Sequence, residues 1–403
     1  MPKSPINPAE EYLNVLCNTI DTRRVGTPGN RQATAYAAEI FSSLGWIVNQ
    51  QEFDCLDWHV EDASLQAGGR DYLVHASPYS LGIEVTAPLV VVSSREELGS
   101  ADCAEKILLL KGEITQEQLM PKNFPFYNPD HHQAIYRLLE SKQPAAIVTA
   151  TGRNPELAGG MYPFPMIEDG DFYIPSVYMT DVDGEQLAEH AGEEVELMIR
   201  AARIPAVGVN VVASRPGKNG KRIVVCGHID AKDNTPGALD NAVGVIVLFL
   251  LAERLREYTG QTGIELLALN GEDHYSAQGH KEYIARNAGR FEEIILNINT
   301  DVAGCLGQRT AFSLYNCAPP VAEVVRKAFA KYPDTFEGEQ WYQSDHSVFI
   351  QQGVPAVAVT SENFMQLSTD VTHTPKDNPG MVDLNKVWDL AQAIGDVLEA
   401  LGK

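Results

Sequence analysis

From Pro205 onward, short runs rich in Val, Ile and Leu alternate with helical segments, and that alternation leaves the chain few architectures. The runs fall at Val207 to Ser214, Arg222 to Gly227, Gly263 to Leu269, Glu293 to Thr300, Thr310 to Tyr315 and Pro355 to Thr360. Helices are expected around Asn241 to Tyr258, Gly279 to Asn287 and Val321 to Lys331, and an amphipathic helix capped by Asp383 closes the chain at Leu401. Strands this apolar must be covered on both faces, so the pattern predicts a largely parallel sheet between helical layers. The stretch VIVLFLLA after Asp240 is apolar nearly all round and is expected to be a central buried helix. Upstream, Asn7, Pro8 and Glu10 mark a helix start that should run to Ile20. A second helix ends at Gly45, before a strand at WIVNQQEF.

Between about Asp54 and Ile204 the texture changes to short strands with scattered Gly and Pro. Ala87 to Val92, Lys106 to Lys111 and Ala145 to Ala150 read as strands, and His132 to Ser141 as a helix. At 403 residues the chain is long for one hydrophobic core. The expectation is therefore a discontinuous α/β domain, 1–53 and 205–403, with a mostly β module at 54–204 inserted into it.

Thirty-one Lys and Arg stand against 54 Asp and Glu, a formal charge of -23, which works against nucleic acid and other polyanionic partners. No apolar run is long enough to cross a bilayer, so no membrane partner is expected. The start, MPKSPINPAEEYLNV, lacks the pattern of a secretory signal. A cytoplasmic protein is the default expectation, although a chain trimmed of a leader would look the same. The six cysteines show no Cys-x-x-Cys pair and read as small buried residues.

Chemistry-bearing residues collect just past the strand ends. Beyond Gly227 come His228 and Asp230, then a loop of small and polar residues leading to Asp240 and Asn241 at the start of the apolar helix. Side chains past the carboxyl ends of strands in an open α/β sheet face the crevice where ligands bind. On this stretch alone, loop and helix-cap roles serve as well as ligand roles. The strand GIELLALN then runs into Gly271, Glu272, Asp273 and His274, and adjacent carboxylates repel unless a cation or a shared proton relieves them. The strand EIILNINT ends at Asp301, and His373 lies in the loop Thr372 to Pro375 before the last helix. Together His228, Asp240, Asp273, Asp301 and His373 offer two imidazoles and three carboxylates, a donor set suited to two zinc ions sharing one carboxylate. Asp230 is placed to accept the other ring N–H of His228 and fix its tautomer. Asp130, His131 and His132 also invite a metal reading, but neighbours in sequence point in different directions, and a solvated loop or a helix start is the preferred one.

The segments GHIDAKDNTPGALDNAVG, LNGED, NINTDVAG, SDHSVF and THTPKDN occur in the order seen in metallopeptidase family 28. The chain resembles its bacterial leucyl aminopeptidases, aminopeptidase Y and the glutamate carboxypeptidase group. The resemblance covers the N-terminal helices, with VGTPGN, and everything after about Pro205. It implies a three-layer zinc-peptidase fold with a mixed, largely parallel central sheet. KILLLKGEI and IPSVYMTDVDGEQL resemble a protease-associated domain inserted in that fold. By motif, His228 and Asp301 would hold one zinc, Asp273 and His373 the second, and Asp240 would bridge them. Glu272 would be the general base of peptide hydrolysis, with Asp230 supporting the catalytic centre, and the peptide after Asp240 would be cis. The family has Glu-Glu where this chain has Glu272-Asp273. The implied activity is a two-zinc aminopeptidase acting on peptide substrates. A zinc carboxypeptidase using Arg309, a glutaminyl cyclase-like enzyme and a non-enzymatic receptor-like binding protein remain alternatives. Asp345 and His346 match a segment near the family's substrate pocket, and a helix start explains them equally well.

Overall fold

The computed structural model describes residues 6–125, 127–153 and 160–403. The chain divides into two compact units. One comprises Met1–Cys55, Val207–Leu367 and Val371–Lys403, and the other Leu56–Ala206 with Ser368–Asp370. The strands Ile47–Ala67 and Glu194–Arg215 carry the chain from one unit to the other.

In the larger unit the sheet order is Thr335–Glu337, Thr310–Tyr315, Ala356–Ser361, Ile294–Thr300, Arg222–His228, Gly263–Leu269 and then the end of Glu194–Arg215. The three strands that deliver His228, Glu272 with Asp273, and Asp301 are adjacent and mutually parallel, in register from Val224 beside Glu265 and Asn297. Ala356–Ser361 continues the parallel set, whereas Thr310–Tyr315 pairs antiparallel to Ala356–Ser361 and Glu194–Arg215 antiparallel to Gly263–Leu269. The sheet is thus mixed and largely parallel. Parallel neighbours end at one edge together, so residues that follow different strands in sequence meet in space.

The helix Val243–Arg254 is buried at every position from Val243 to Ala252, as a segment apolar on all sides requires. It packs on the strand Arg222–His228 and against the closing helix Leu384–Leu401, whose apolar stripe from Val387 to Leu398 joins the same core. Pro28–Ser43 is capped by Thr27, whose hydroxyl accepts from the N–H of Asn30, and places Phe41 edge-on to Phe249. The first helix is Ile6–Asn14, and a wider turn over Val15–Thr19 extends it.

The smaller unit holds a parallel series, Ile83–Val92, Ile107–Leu110, Ala146–Thr151 and Ser176–Thr180, with helices Arg95–Ser100, Asp130–Lys142 and Asp181–Ala188. Its apolar residues form two clusters, one containing Leu109, Val148 and Val177 and the other Leu108, Tyr136 and Leu139. Among the described residues no helix is long and apolar enough to cross a membrane.

Candidate metal centre

His228 is the last residue of its strand and is fully buried. Its Nδ1–H donates to the backbone carbonyl of Asp230 at 3.2 Å, which leaves the Nε2 lone pair directed the other way. There Nε2 meets Asp240 Oδ1 at 3.1 Å and Asp301 Oδ1 at 3.6 Å. The second oxygen of Asp240 lies 3.2 Å from His373 Nε2, which is itself 2.9 Å from Asp273 Oδ1. Two three-residue groups result, His228 with Asp240 and Asp301, and His373 with Asp240 and Asp273. Within each, the donor atoms all lie within 4.8 Å of one another. Glu272 joins His228 and Asp273 in a third such group.

These groups fit a metal on chemical grounds. Ligands about 2.0–2.1 Å from a tetrahedral zinc stand about 3.3 Å apart, the spacing of the imidazole–carboxylate pairs here. Three buried atoms at the centre, His228 Nε2, Asp301 Oδ1 and Asp273 Oδ2, make no hydrogen bond, a costly arrangement unless a cation accepts them. Burial alone would hold the His228 imidazole neutral, yet the carboxylates of Asp230, Asp240 and Asp301 push its pKa well above the ordinary value. His373 behaves likewise, with Asp273 and Asp240 outweighing burial. The centre thus demands positive charge, which two protons or two cations can supply. Its residues would hold zinc, with Asp240 facing both three-residue groups.

Asp230 departs from the expectation. Its carboxylate stands 3.6 Å from His228 Nδ1, beyond hydrogen-bond reach, and the carbonyl of the same residue is the acceptor instead. The carboxylate is taken by the turn that follows the next strand, accepting from Gly271 N–H at 2.7 Å, Asp273 N–H at 3.0 Å and Glu272 N–H at 3.3 Å. Asp230 therefore fixes the backbone that presents Glu272 and Asp273. That anchoring also explains how Asp273, a methylene shorter than glutamate, still comes within 2.9 Å of His373.

Local backbone geometry places the other groups. The Asp240–Asn241 peptide is cis. Asn241 turns its side chain inward, donating to Thr300 O at 2.8 Å and accepting from Gly244 N–H at 2.9 Å. Val302, next to Asp301, and His373 both adopt positive φ, at 48° and 60°, an uncommon conformation for residues with a Cβ and rarest for a β-branched one. The second oxygen of Asp301 accepts from Ser344 Oγ at 2.6 Å, and Ser344 in turn accepts from Asn299 Nδ2. Burial raises the Glu272 carboxyl well above its ordinary range. His228 opposes that rise, while Asp273, Asp301 and Asp345 add to it.

Asp345 and His346 stay out of the donor groups. Asp345 pairs with His280 at 2.7 Å, both fully buried, and His346 Nε2–H donates to Trp341 O. The sequence reading overlooked Arg23, Asp377 and His280, which support the centre through backbone groups or buried pairs and carry no spacing signal.

The second histidine pair resolves differently. Glu117, His131 and His132 also bring donor atoms within 4.8 Å of one another. Met120 N–H, however, donates to His132 Nδ1 at 3.0 Å, which puts the ring proton on Nε2, 3.2 Å from Glu117 Oε1. A protonated Nε2 facing a carboxylate is a donor, not a ligand. The pair opens the helix Asp130–Lys142, as the sequence suggested.

Residues 210–398, just under half of the chain, match the sequence model of peptidase family M28. A probable leucine aminopeptidase 2 of Aspergillus oryzae is 24% identical over 325 residues, covering 74% of this chain and 60% of that protein. The chain thus spans less than two thirds of that relative's length. Aminopeptidase YwaD of Bacillus subtilis is 24% identical over 418 residues, 97% of this chain and 83% of that protein. The solved structure of BSAP, a zinc aminopeptidase from Bacillus subtilis, is similar with a TM-score of 0.75 at 20% identity, over 99% of this chain and 95% of that one.

Proposed function

We infer, from a chain whose residues 210–398 match the model of peptidase family M28, a two-zinc aminopeptidase that removes residues singly from the amino end of peptides. The observation that carries the reading is Asp240, whose Oδ1 lies 3.1 Å from one imidazole and whose Oδ2 lies 3.2 Å from the other. A carboxylate that turns one oxygen to each of two donor groups is what a shared ligand requires. His228 and Asp301 would complete one zinc position, and Asp273 and His373 the other. Zinc bound there supplies Lewis acidity toward a water and a peptide carbonyl. Glu272 takes the proton of the attacking water and passes it to the leaving amine, a task that its place beside His228 and Asp273 allows. Asp230 keeps the Glu272 backbone in place.

The relatives' names favour the amino end, and so does Arg309. A carboxypeptidase needs a free cation for the substrate's terminal carboxylate. Arg309 is ion-paired with Glu362, Nε to Oε2 at 3.1 Å, and its guanidinium lies over the Phe336 ring. N-terminal acetylation of a good peptide substrate is expected to abolish cleavage. Equal cleavage of blocked and free peptides, or release of residues from the carboxyl end, would sink the assignment. Residues 54–204 are read as a protease-associated-type domain on the strength of the sequence resemblance.

A metal titration tests the two-ion reading separately. Because the surrounding carboxylates raise the proton affinity of His228 and His373, protons compete with zinc for both imidazoles. Zinc added to chelator-treated protein at pH 7 should saturate at two ions per chain and release protons. The heat of binding should vary with the ionisation enthalpy of the buffer, and affinity should fall as the pH is lowered. Saturation at one ion would favour a cyclase-like single-zinc site.

A further inference from the structure

We propose that Asp377 is the positioning residue that holds Asp240 in place for metal binding, an inference that rests on the reading of Asp240 as the shared ligand. Three consecutive backbone N–H groups converge on Asp377. Ala238 N–H donates to its carbonyl at 3.3 Å, Leu239 N–H to Oδ1 at 2.7 Å and Asp240 N–H to Oδ2 at 3.1 Å. The side chain is fully buried, so both oxygens are used inside the protein.

The need for this anchor lies in the local backbone. Asp240 and Asn241 precede the helix Val243–Arg254 with φ, ψ of -119°, 84° and -138°, 44°, outside the helical region. They cannot draw on a helical hydrogen-bond ladder to fix their position, and buried N–H groups at such a bend require acceptors from elsewhere. The two oxygens of Asp377 accept two of them from one side chain, and those bonds favour its ionised form against burial and the nearby Asp240.

Asp377 also reaches toward the second imidazole. Its own N–H donates to Thr374 O at 3.1 Å, closing the turn that follows His373. It therefore ties the segment carrying Asp240 to the loop carrying His373, whose side chains meet at the position shared with Asp273. His228 and Asp301 follow strands of the central sheet and do not depend on this tie. Loss of Asp377 should therefore weaken the Asp240, Asp273 and His373 position more than the other one.

The test is zinc titration of chelator-treated full-length wild type, Asp377→Asn, Asp377→Ala and Asp377→Glu against a chromophoric chelator, with circular dichroism and thermal unfolding of each metal-free protein. Asp377→Asn keeps the shape but offers an amide N–H₂ where an N–H needs an acceptor. It should weaken one of the two zinc affinities by about 10- to 100-fold, the range seen for groups that orient ligands, and the other, which keeps His228 and Asp301 and loses only the hold on the shared Asp240, by less. Asp377→Glu should recover part of the loss. If Asp377→Ala fails to fold, Asp377→Asn decides. Two unchanged affinities in a folded Asp377→Asn, or equal weakening of both, overturn the inference while leaving the two-metal reading intact. A wild type that takes up fewer than two ions overturns the two-metal reading itself, and this inference with it.

Discussion

Glu272→Gln is expected to lower turnover by roughly two to four orders of magnitude while zinc content stays at the wild-type level. The substitution preserves size and shape but removes the group that accepts a proton. Glu272 lies beside His228 and Asp273 but belongs to neither of the three-residue groups that include Asp240. The donor atoms that meet both oxygens of Asp240 come from His228 and His373, and Glu272 approaches the centre from beside His228 and Asp273. Its backbone is held independently by the Asp230 carboxylate, so the change should not shift Asp273.

Asp273→Asn should do the reverse. Asp273 Oδ1 lies 2.9 Å from His373 Nε2, and Oδ2 is buried with no hydrogen-bond partner. An amide there is a poor ligand, so one zinc position should weaken, and added zinc should partly restore the rate. Metal content and rate as a function of zinc concentration separate two side chains adjacent in sequence. If Glu272→Gln loses zinc and Asp273→Asn keeps it, the two roles have been exchanged.

The strands that carry the centre were legible because each is a closed apolar run with a polar residue at its end. Gly263–Leu269 and Thr310–Tyr315 coincide with the sequence reading residue for residue, and Arg222–His228 extends the expected run only by His228 itself. A run of that kind fixes where a strand stops, and in a parallel sheet the stopping points are neighbours. The helix Phe364–Asp370 and the short strand Thr335–Glu337 were not drawn, since neither has a sustained period or an unbroken apolar stretch. Asp230 shows a subtler limit. Sequence spacing placed it correctly beside His228, but could not say that its carbonyl would serve the imidazole while its carboxylate served a turn 41 to 43 residues away. Backbone N–H and C=O groups occur at nearly every position, so a side chain that recognises them leaves no pattern in the sequence.

Arg23 is the strongest instance of that kind, and Arg23→Met is expected to destabilise the metal-free protein by about 3–5 kcal/mol. The residue is 3% exposed, in the loop between the first two helical segments. Its guanidinium donates to four carbonyls, Leu16 O, Ile229 O, Pro236 O and Gly237 O, at 2.8 to 2.9 Å. Three of the four belong to the stretch between His228 and Asp240. A planar fork of donors can satisfy several fixed acceptors at once, whereas methionine fills the volume and leaves the carbonyls unpaired. Lysine should rescue little, because one ammonium cannot span four acceptors that surround a plane. For a unit of this size the loss corresponds to roughly 6–20 °C in Tm, measurable by thermal unfolding. Arg286→Met supplies the control: Arg286 is exposed and pairs with Glu282 one helical turn away, so its removal should change stability by less than about 1 kcal/mol. Equal, small shifts for both variants would mean that water replaces the guanidinium at the four carbonyls and that the loop carrying Asp240 holds its shape without Arg23.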